Sequence, residues 1–337
     1  MYKFIRKLLF LFPPEFIHNI VIFIFKLPLV SRILGRFYRF EHPALQRKLF
    51  GLTFPNPVGL AAGLDKDGEI FRQMGHLGFG FVEIGTVTPL PQPGNPKPRL
   101  FRLISDEALI NRMGFNNRGV AAMVRRLRNK PAGLLVGGNI GKNKMTPNAQ
   151  ALQDYEKCFR ALHPHVDFFV VNVSSPNTPD LRKLQEKETL AGLLQHLIRL
   201  NNEQTLRRPV LLKVAPDLSE PQLDDIIDIV QQTGIAGIVA VNTTIGRKGL
   251  SEKGAAKAKE IGDGGLSGKP LSARSTEVIR YLHRKSGGKI PIVASGGVMS
   301  TEDALEKLDA GASLVEIYTG FVYEGPGLIR EINRKLI

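Results

Sequence analysis

Val58-Gly-Leu-Ala-Ala-Gly-Leu-Asp-Lys66 sets the pattern on which the fold turns: a short apolar run, then a glycine, a carboxylate and a lysine. Phe79-Gly-Phe-Val-Glu-Ile-Gly-Thr86 is a second apolar run, closing on a glycine and a threonine. Six more runs follow, at Leu134–Asn139, Phe168–Asn172, Val210–Val214, Gly237–Asn242, Ile290–Ser295 and Leu314–Tyr318. They are β-branched or glycine-spaced and of strand length. Amphipathic stretches of helical length lie between them, among them Arg118–Leu127, Asn148–Leu162, Leu190–Thr205, Glu220–Thr233, Ser275–Arg284 and Glu302–Leu308. Strand alternating with helix implies a parallel sheet. Eight repeats point to an α/β fold of the (β/α)8 TIM-barrel type, with a doubly wound open sheet as the runner-up.

The strand ends favour the barrel. Lys66, Thr86, Asn139, Asn172, Lys213 and Asn242 stand at or just past the first six, and the last two lead into Gly296-Gly297 and Tyr318-Thr319-Gly320. One such residue would be a cap; polar residues or glycines at every end mark the C-terminal rim, where barrel loops converge on one mouth. Two long loops enlarge that rim. Thr88–Arg99 contains five prolines, which makes it stiff and extended. Thr243–Pro270 is rich in Gly and Lys, the character of a lid or binding loop.

Composition bounds the chemistry. The 337 residues are 43% apolar and 23% charged, a globular balance able to bury a large core. The single cysteine, Cys158, excludes an internal disulfide and any multi-cysteine metal centre. The seven histidines lie away from the strand ends, so no metal site is expected. Gly138-Asn-Ile-Gly141-Lys142 lacks P-loop spacing, and no G-x-G-x-x-G follows a strand, which removes support for a kinase or a Rossmann dehydrogenase. A net charge of +15 raises nucleic acid as a partner. The absence of Trp, of zinc-finger spacing and of aromatics interleaved with basic residues argues against it.

Residues 1–40 differ from the rest, with eight of the nineteen Phe and seven Lys/Arg against one acid, Glu15. The run Ile20–Phe25 is apolar, but Pro13-Pro14, Glu15, His18, Asn19 and Lys26 punctuate its surroundings and leave no stretch long enough to span a bilayer, and no signal-peptidase site follows it. Pro13-Pro14 divides two short helices. In the first, Lys3, Arg6 and Lys7 share one side; in the second, Glu15, His18, Asn19, Ile22 and Lys26 share a narrow arc, and the rest is aliphatic or aromatic. Wide greasy faces with basic flanks match an in-plane membrane anchor; the competing reading is a helical cap packed on the main domain.

The late glycines, Gly264-Gly265-Leu-Ser-Gly268, Gly296-Gly297 and Thr319-Gly320, surround the seventh and eighth strands, where barrels commonly hold a phosphate. Asn111, Asn139, Asn172, Asn177 and Asn242 supply carboxamides suited to a planar heterocycle, and Lys66 and Lys213 can face a carboxylate or an electron-rich ring. Together they indicate a phosphorylated planar cofactor beside a planar, amide-rich substrate.

Nine motifs in order carry a specific likeness. They are Ala61-Ala-Gly-Leu-Asp-Lys66, Glu83-Ile-Gly-Thr86, Pro96-Lys-Pro-Arg-Leu-Phe-Arg102, Asn111-Arg-Met-Gly-Phe-Asn-Asn117, Asn139-Ile-Gly-Lys-Asn143, Asn172-Val-Ser-Ser-Pro-Asn-Thr178, Asn242-Thr-Thr244, Gly264-Gly-Leu-Ser-Gly-Lys-Pro-Leu271 and Gly311-Ala-Ser-Leu-Val-Glu-Ile-Tyr318. With them the chain resembles, nearly end to end, the class 2 dihydroorotate dehydrogenases, flavin-dependent and quinone-reducing enzymes of pyrimidine (UMP) synthesis.

The resemblance implies an N-terminal extension, 1–40, for membrane association and quinone access, and an FMN-binding barrel, 41–337. It places one FMN on Ala62, Gly63, Leu64, Asp65, Lys66, Thr86, Asn139, Asn172, Lys213, Gly268, Gly297, Tyr318 and Thr319. It assigns dihydroorotate or orotate to Lys66, Asn111, Arg112, Met113, Gly114, Phe115, Asn172, Asn177, Asn242 and Thr243. Ser175 occupies the position of the base that takes the C5 proton while hydride leaves C6 for the flavin, with Lys66, Thr178 and Phe115 in supporting catalytic roles. A cysteine stands at that position in class 1 relatives, so Ser175 and the greasy extension both point to class 2. His18 and Arg102 would line a quinone tunnel near Tyr318. Val241 departs from the Thr usual in the family and would lose a hydroxyl contact to the flavin.

The implied partners are a membrane quinone and an anionic lipid surface, with the chain a monomer on the cytoplasmic face of a bacterial cell membrane and no nucleic acid bound. The alternatives are a soluble class 1 type enzyme with another acceptor and a non-catalytic membrane scaffold.

Overall fold

All eight apolar runs become strands that close into one parallel barrel: β1 (Val58–Leu60), β2 (Phe81–Val87), β3 (Leu135–Ile140), β4 (Phe168–Asn172), β5 (Val210–Val214), β6 (Gly237–Ala240), β7 (Ile292–Ser295) and β8 (Leu314–Ile317). The computed structural model describes residues 2–337. Each strand pairs with the next in the chain, and β8 returns to β1 with Val315 opposite Val58 and Ile317 opposite Leu60.

Alternation along the strands fills the interior in layers. Phe81, Phe168, Leu211, Val239, Val293 and Leu314 form the lower layer, plugged by Phe54 from the hairpin Arg47–Leu49/Leu52–Phe54. The rings of Phe54, Phe81 and Phe168 meet at 5.3–6.3 Å between centroids, a spacing typical of packed aromatic side chains. Two residues further up their strands, Glu83, Lys213 and Glu316 begin a polar layer. The outward residues, such as Val58, Val82, Val171, Leu212 and Ile317, pack under the ring of helices.

Above the rim the chain departs from the loops expected there. Leu100–Leu103, Ala108–Asn111 and Gly265–Gly268 form a three-stranded antiparallel sheet, and Glu252–Ile261 is a helix. Gly265-Leu-Ser-Gly268 has no strand periodicity of its own; it is a strand because Ala108–Asn111 offers it main-chain partners.

The extension has three helices, α1 (Tyr2–Leu9), α2 (Pro14–Lys26) and α3 (Val30–Tyr38), the last not anticipated. Part of each polar arc meets the barrel, while Lys7, Asn19, Arg32 and Arg36 stay exposed. Arg6 donates to the Tyr323 carbonyl at 2.7 Å, Glu15 accepts from Arg99 at 2.8 Å, Lys26 pairs with Glu69, and Ser31 meets His76 at 2.9 Å. Of the greasy residues, Ile17 and Phe25 are buried against the barrel, while Phe4, Leu8, Leu11, Phe16, Phe23, Leu29 and Phe37 face outward. Among the described residues no helix is long and apolar enough to cross a membrane.

Gly59 tests the packing. A Cβ there would lie 2.2 Å from the Phe81 ring, so Gly59→Ala should lower stability by about 1–3 kcal/mol through overpacking. Urea unfolding should show it as a lower midpoint with unchanged slope, partly restored by pairing the change with Phe81→Leu.

Candidate active site

The C-terminal ends of the strands open into a cleft whose empty space, open solvent at the mouth included, is about 1000 Å³. Its wall gathers Ala62, Gly63, Lys66, Thr86, Asn111, Met113, Gly114, Phe115, Asn172, Ser175, Asn177, Lys213, Asn242, Thr243, Gly297, Tyr318 and Thr319, residues brought in by seven of the eight strand ends, by the segment Asn111–Phe115 and by the start of the Thr243–Pro270 insertion.

A hydrogen-bonded web fixes the carboxamides. Asn172, at the end of β4, donates to Thr86 Oγ1 at 2.9 Å and Asn139 Oδ1 at 3.2 Å. Asn242 Nδ2 donates to Asn172 Oδ1 at 3.3 Å and Ser174 Oγ at 3.0 Å. Asn177 Nδ2 donates to Asn111 Oδ1 at 3.0 Å. Each amide thus has a defined orientation before any ligand arrives, which preorganises the site. Ser175 is buried, and its Oγ accepts from the Asn177 amide at 3.3 Å.

Electrostatics divide the cleft. Lys66 Nζ donates to Asn116 Oδ1 at 3.0 Å. The ammonium lies deep although part of the side chain is reached by solvent; burial, and then the Arg99 charge, depress it to about 7. In the floor Lys213 Nζ lies 3.2 Å from Glu83 and 3.6 Å from Glu316. Burial opposes its charge, but the two carboxylates hold the lysine above its usual range. Burial likewise pushes against ionised Glu83, yet Lys213, a hydrogen bond from the Glu316 carboxyl and one from the Asn139 amide keep that carboxyl below its ordinary value. Tyr318 is pushed up to about 12 by burial and stays a neutral phenol.

Several expected site residues stand behind the wall. Asn139 is fully buried and donates to Glu83, while Leu64 packs in the core. Asp65 accepts from the Glu69 and Ile70 amides at 2.7 and 2.9 Å and so braces the Lys66 turn. The Arg112 guanidinium points away, over the Phe101 ring and onto the Ile261 carbonyl at 2.7 Å. Thr178 is buried with its Oγ1 unpartnered. Gly268 presses on Thr319 beside the wall.

His18 and Arg102 lie outside the cleft. Arg102 donates to the Phe12 carbonyl at 2.8 Å and stacks on Phe10 at 4.4 Å. Burial, and then the Lys66 charge, lower His18 to about 4, so it is neutral at pH 7. Tyr318 joins the two regions: it lines the cleft and packs in the cluster that holds Phe10, Leu109 and Tyr323.

The wall also includes Ala61, Val241, Ser267, Leu271, Ser295, Gly296, Val298, Gly320 and, most notably, Glu316. A charged residue inside an otherwise apolar barrel strand was a readable signal for Glu316, and equally for Glu83.

The chain matches the family model described as dihydroorotate dehydrogenase over residues 44–337. It is 55% identical to a dihydroorotate dehydrogenase (quinone) of Christiangramia forsetii, covering 100% of this chain and 99% of that one. It is 53% identical to the protein of the same name from Thermosynechococcus vestitus, over 90% of this chain and 84% of that one. A crystal structure of the Eimeria tenella DHODH in complex with ferulenol superposes with a TM-score of 0.85 at 36% identity, covering 96% of this chain and 90% of the other.

The depressed Lys66 yields a signed pH dependence. An unfolded lysine titrates near 10.5, the folded one near 7, so the folded state resists protonation. The penalty is absent above the unfolded value, grows as pH falls toward 7, and is complete below it. Lys66→Met should therefore stabilise the ligand-free protein by on the order of 1–3 kcal/mol at pH 6.5, allowing for solvent screening, and leave it unchanged at pH 11. Urea midpoints at the two pH values check this.

Proposed function

Because the chain belongs to the dihydroorotate dehydrogenase family, we propose that this cleft holds one FMN and oxidises (S)-dihydroorotate to orotate, the electrons leaving to a membrane quinone. The reading is carried by the convergence of Ser175, Lys66 and the four carboxamides of Asn111, Asn172, Asn177 and Asn242 on one mouth.

The residues suit FMN. Gly297 has φ +72°, and a Cβ there would come within 2.3 Å of the Ser272 backbone; a Cβ on Gly320 would meet the Val298 carbonyl at 2.2 Å. The Gly297 loop and the start of the helix Thr319–Glu324 thus press together beside Ser267 and Thr319, whose hydroxyls meet at 2.9 Å, a backbone-and-hydroxyl cradle suited to phosphate. Ala62, Gly63, Thr86, Asn172 and Lys213 would border the ring, supported from behind by Leu64, Asp65, Asn139 and Gly268. Bound there, FMN would supply the hydride acceptor and the link to the quinone.

The chain's own residues supply the rest. Lys66 would bind the substrate carboxylate, an ionic partner that restores its charge. The asparagines would read the donors and acceptors of the pyrimidine ring, and Met113, Gly114 and Thr243 would shape its pocket, with Arg112 acting through its backbone. Ser175 Oγ would take the C5 proton. A serine is a weak base, so it needs a relay and exclusion of water; the unpartnered Thr178 Oγ1 and the buried Phe115 support those two tasks. Arg102, reached through Tyr318 and Phe10, and His18, which feels the Lys66 charge, would flank the quinone path. The outward aromatic and aliphatic face of α1–α3, with exposed Lys7, Arg32 and Arg36, suits peripheral binding of one monomer to the anionic cytoplasmic leaflet.

The purified protein should be yellow and should bleach anaerobically with dihydroorotate. Ser175→Ala should keep its colour but lose about 10²- to 10⁴-fold in the rate of bleaching. Unchanged stopped-flow kinetics would remove Ser175 as the base.

Membrane binding has a separate test. The triple variant Phe16→Ser, Phe23→Ser, Phe37→Ser alters only outward side chains. It should bleach normally, partition at least about 100-fold less onto phosphatidylglycerol vesicles, and reduce long-tailed quinone poorly. Co-sedimentation and a vesicle-borne quinone assay measure both.

A further inference from the structure

The loop that carries Ser175 has little main-chain support of its own. Among the described residues, Ser174 through Asn177, just past the end of β4, form no hydrogen bond with another main-chain group. Side chains fix this stretch instead. The Asn172 carboxamide oxygen accepts from the Ser174 amide at 3.3 Å, and Asn95 holds the Asn177 carbonyl. The Ser174 carbonyl accepts from a residue with no part in the chemistry above: Arg182, in the short helical turn Leu181–Gln185.

Arg182 is half-buried, and its guanidinium meets three rim loops. Nε donates to the Ser174 carbonyl, after β4, at 3.0 Å; Nη1 to Asp217 Oδ2, after β5, at 2.9 Å; and Nη2 to the Thr243 carbonyl, after β6, at 3.1 Å. Asp217 is itself held. The carbonyls on either side of it, Pro216 and Leu218, accept from Arg274 at 2.9 and 2.8 Å, and its carboxylate also accepts from the Thr244 hydroxyl and the Ile245 amide. A planar fork of fixed geometry makes all three bonds only when the three loops stand in one mutual arrangement.

The Ser174 carbonyl belongs to the peptide group that joins Ser174 to Ser175. Holding that oxygen fixes the plane of the peptide, and with it the direction in which the Ser175 side chain leaves the backbone. The Thr243 loop has support besides Arg182, because Thr244 and Leu266 exchange main-chain hydrogen bonds at 3.1 and 2.8 Å. The arginine therefore matters most to the loop that lacks such a bond.

We propose that Arg182 is a positioning residue: anchored by Asp217, it locks the Ser174–Ser175 peptide against the Thr243 loop and so aims the Ser175 hydroxyl at the substrate. This rests on the reading of Ser175 as the base. Proton abstraction needs a close and aligned approach, and a misplacement of about 1 Å can cost on the order of 100-fold in rate. Arg182 acts only through Ser175, since it does not line the cleft.

The test is a double-mutant cycle on the FMN-loaded protein: Arg182→Met, Ser175→Ala and the two combined, each bleached anaerobically with dihydroorotate in a stopped-flow instrument. Arg182→Met alone should lower the limiting rate about 10- to 100-fold, while orotate, titrated through its effect on the flavin spectrum, binds within about threefold of wild type. In the Ser175→Ala background the same change should alter the rate by less than about twofold, because a hydroxyl that is gone cannot be misaimed. Asp217→Asn keeps the guanidinium and weakens its anchor. It should slow bleaching about three- to tenfold, again only where Ser175 is present, and it decides the matter if Arg182→Met does not fold. Full-rate bleaching by Arg182→Met, or by Asp217→Asn where the former does not fold, would overturn the assignment. So would a loss that persists undiminished without Ser175, or one seen only as weaker orotate binding. If Ser175→Ala itself bleaches at the full rate, the base reading falls and this assignment with it; a slow Ser175→Ala whose loss multiplies with that of Arg182→Met removes the role of Arg182 alone.

Discussion

A lysine ammonium in the middle of a barrel is the constraint around which this protein is arranged. Lys213 is 5% exposed, and an unpaired charge at that depth would cost several kcal/mol. Glu83 from β2 and Glu316 from β8 approach it from across the interior. Strand closure brings these three distant segments together, so the ion group and the barrel need one another. The aromatic plug of Phe54, Phe81 and Phe168 seals the layer below. Polar side chains can then occupy the layer above without drawing water through the molecule, and that layer opens upward as the cleft.

The extension solves the opposite problem. An amphipathic helix on a soluble domain normally buries its apolar stripe. Here α2 attaches through Glu15–Arg99 and Lys26–Glu69, and α1 through Arg6 and the Tyr2 hydroxyl, which donates to the Val322 carbonyl at 2.7 Å. Only a narrow apolar strip, with Ile17 and Phe25, is spent on packing. Residues such as Phe4, at 78% exposed, and Leu11, at 76%, are left outside. These exposed apolar side chains are the ones the proposed membrane binding would use. The competing reading of a greasy cap on the main domain would have buried these side chains.

What the sequence made legible follows from how local the signal is. The eight strands could be read because each carries its own apolar run, and every one is found, with ends displaced by about two residues where β2 and β7 start late. The rim sheet was not legible. Gly265–Gly268 is a strand only through its partner at Ala108–Asn111, far away in sequence. The direction of the extension's polar arc was also hidden, because periodicity shows which residues share a face but not what that face meets. Most candidate site residues reach the cleft wall because they sit at strand ends, which the barrel must bring together. Arg112 does not: its neighbours Asn111 and Met113 point in, and alternation along an extended segment sends its side chain the other way.

One line of contacts joins these parts. Glu15 on α2 accepts from Arg99 Nη2 at 2.8 Å, and Arg99 Nη1 donates to the Asn95 carbonyl at 3.0 Å. Asn95 Nδ2 in turn donates to the carbonyls of Arg112 at 3.0 Å and Asn177 at 3.2 Å, and Asn177 holds Asn111. The proline-rich loop is therefore not a free lid. It is tied at one end to the helix that faces outward and at the other to two carboxamides of the cleft. The structure shows this line in one arrangement, whereas a transmitted signal would require two. Its effect is rigidity: the docked extension holds the loop, and the loop holds Asn177, whose backbone amide donates to Ser175 Oγ. An extension fastened by polar side chains thus steadies Ser175, the proposed base, while its exposed apolar side chains face outward.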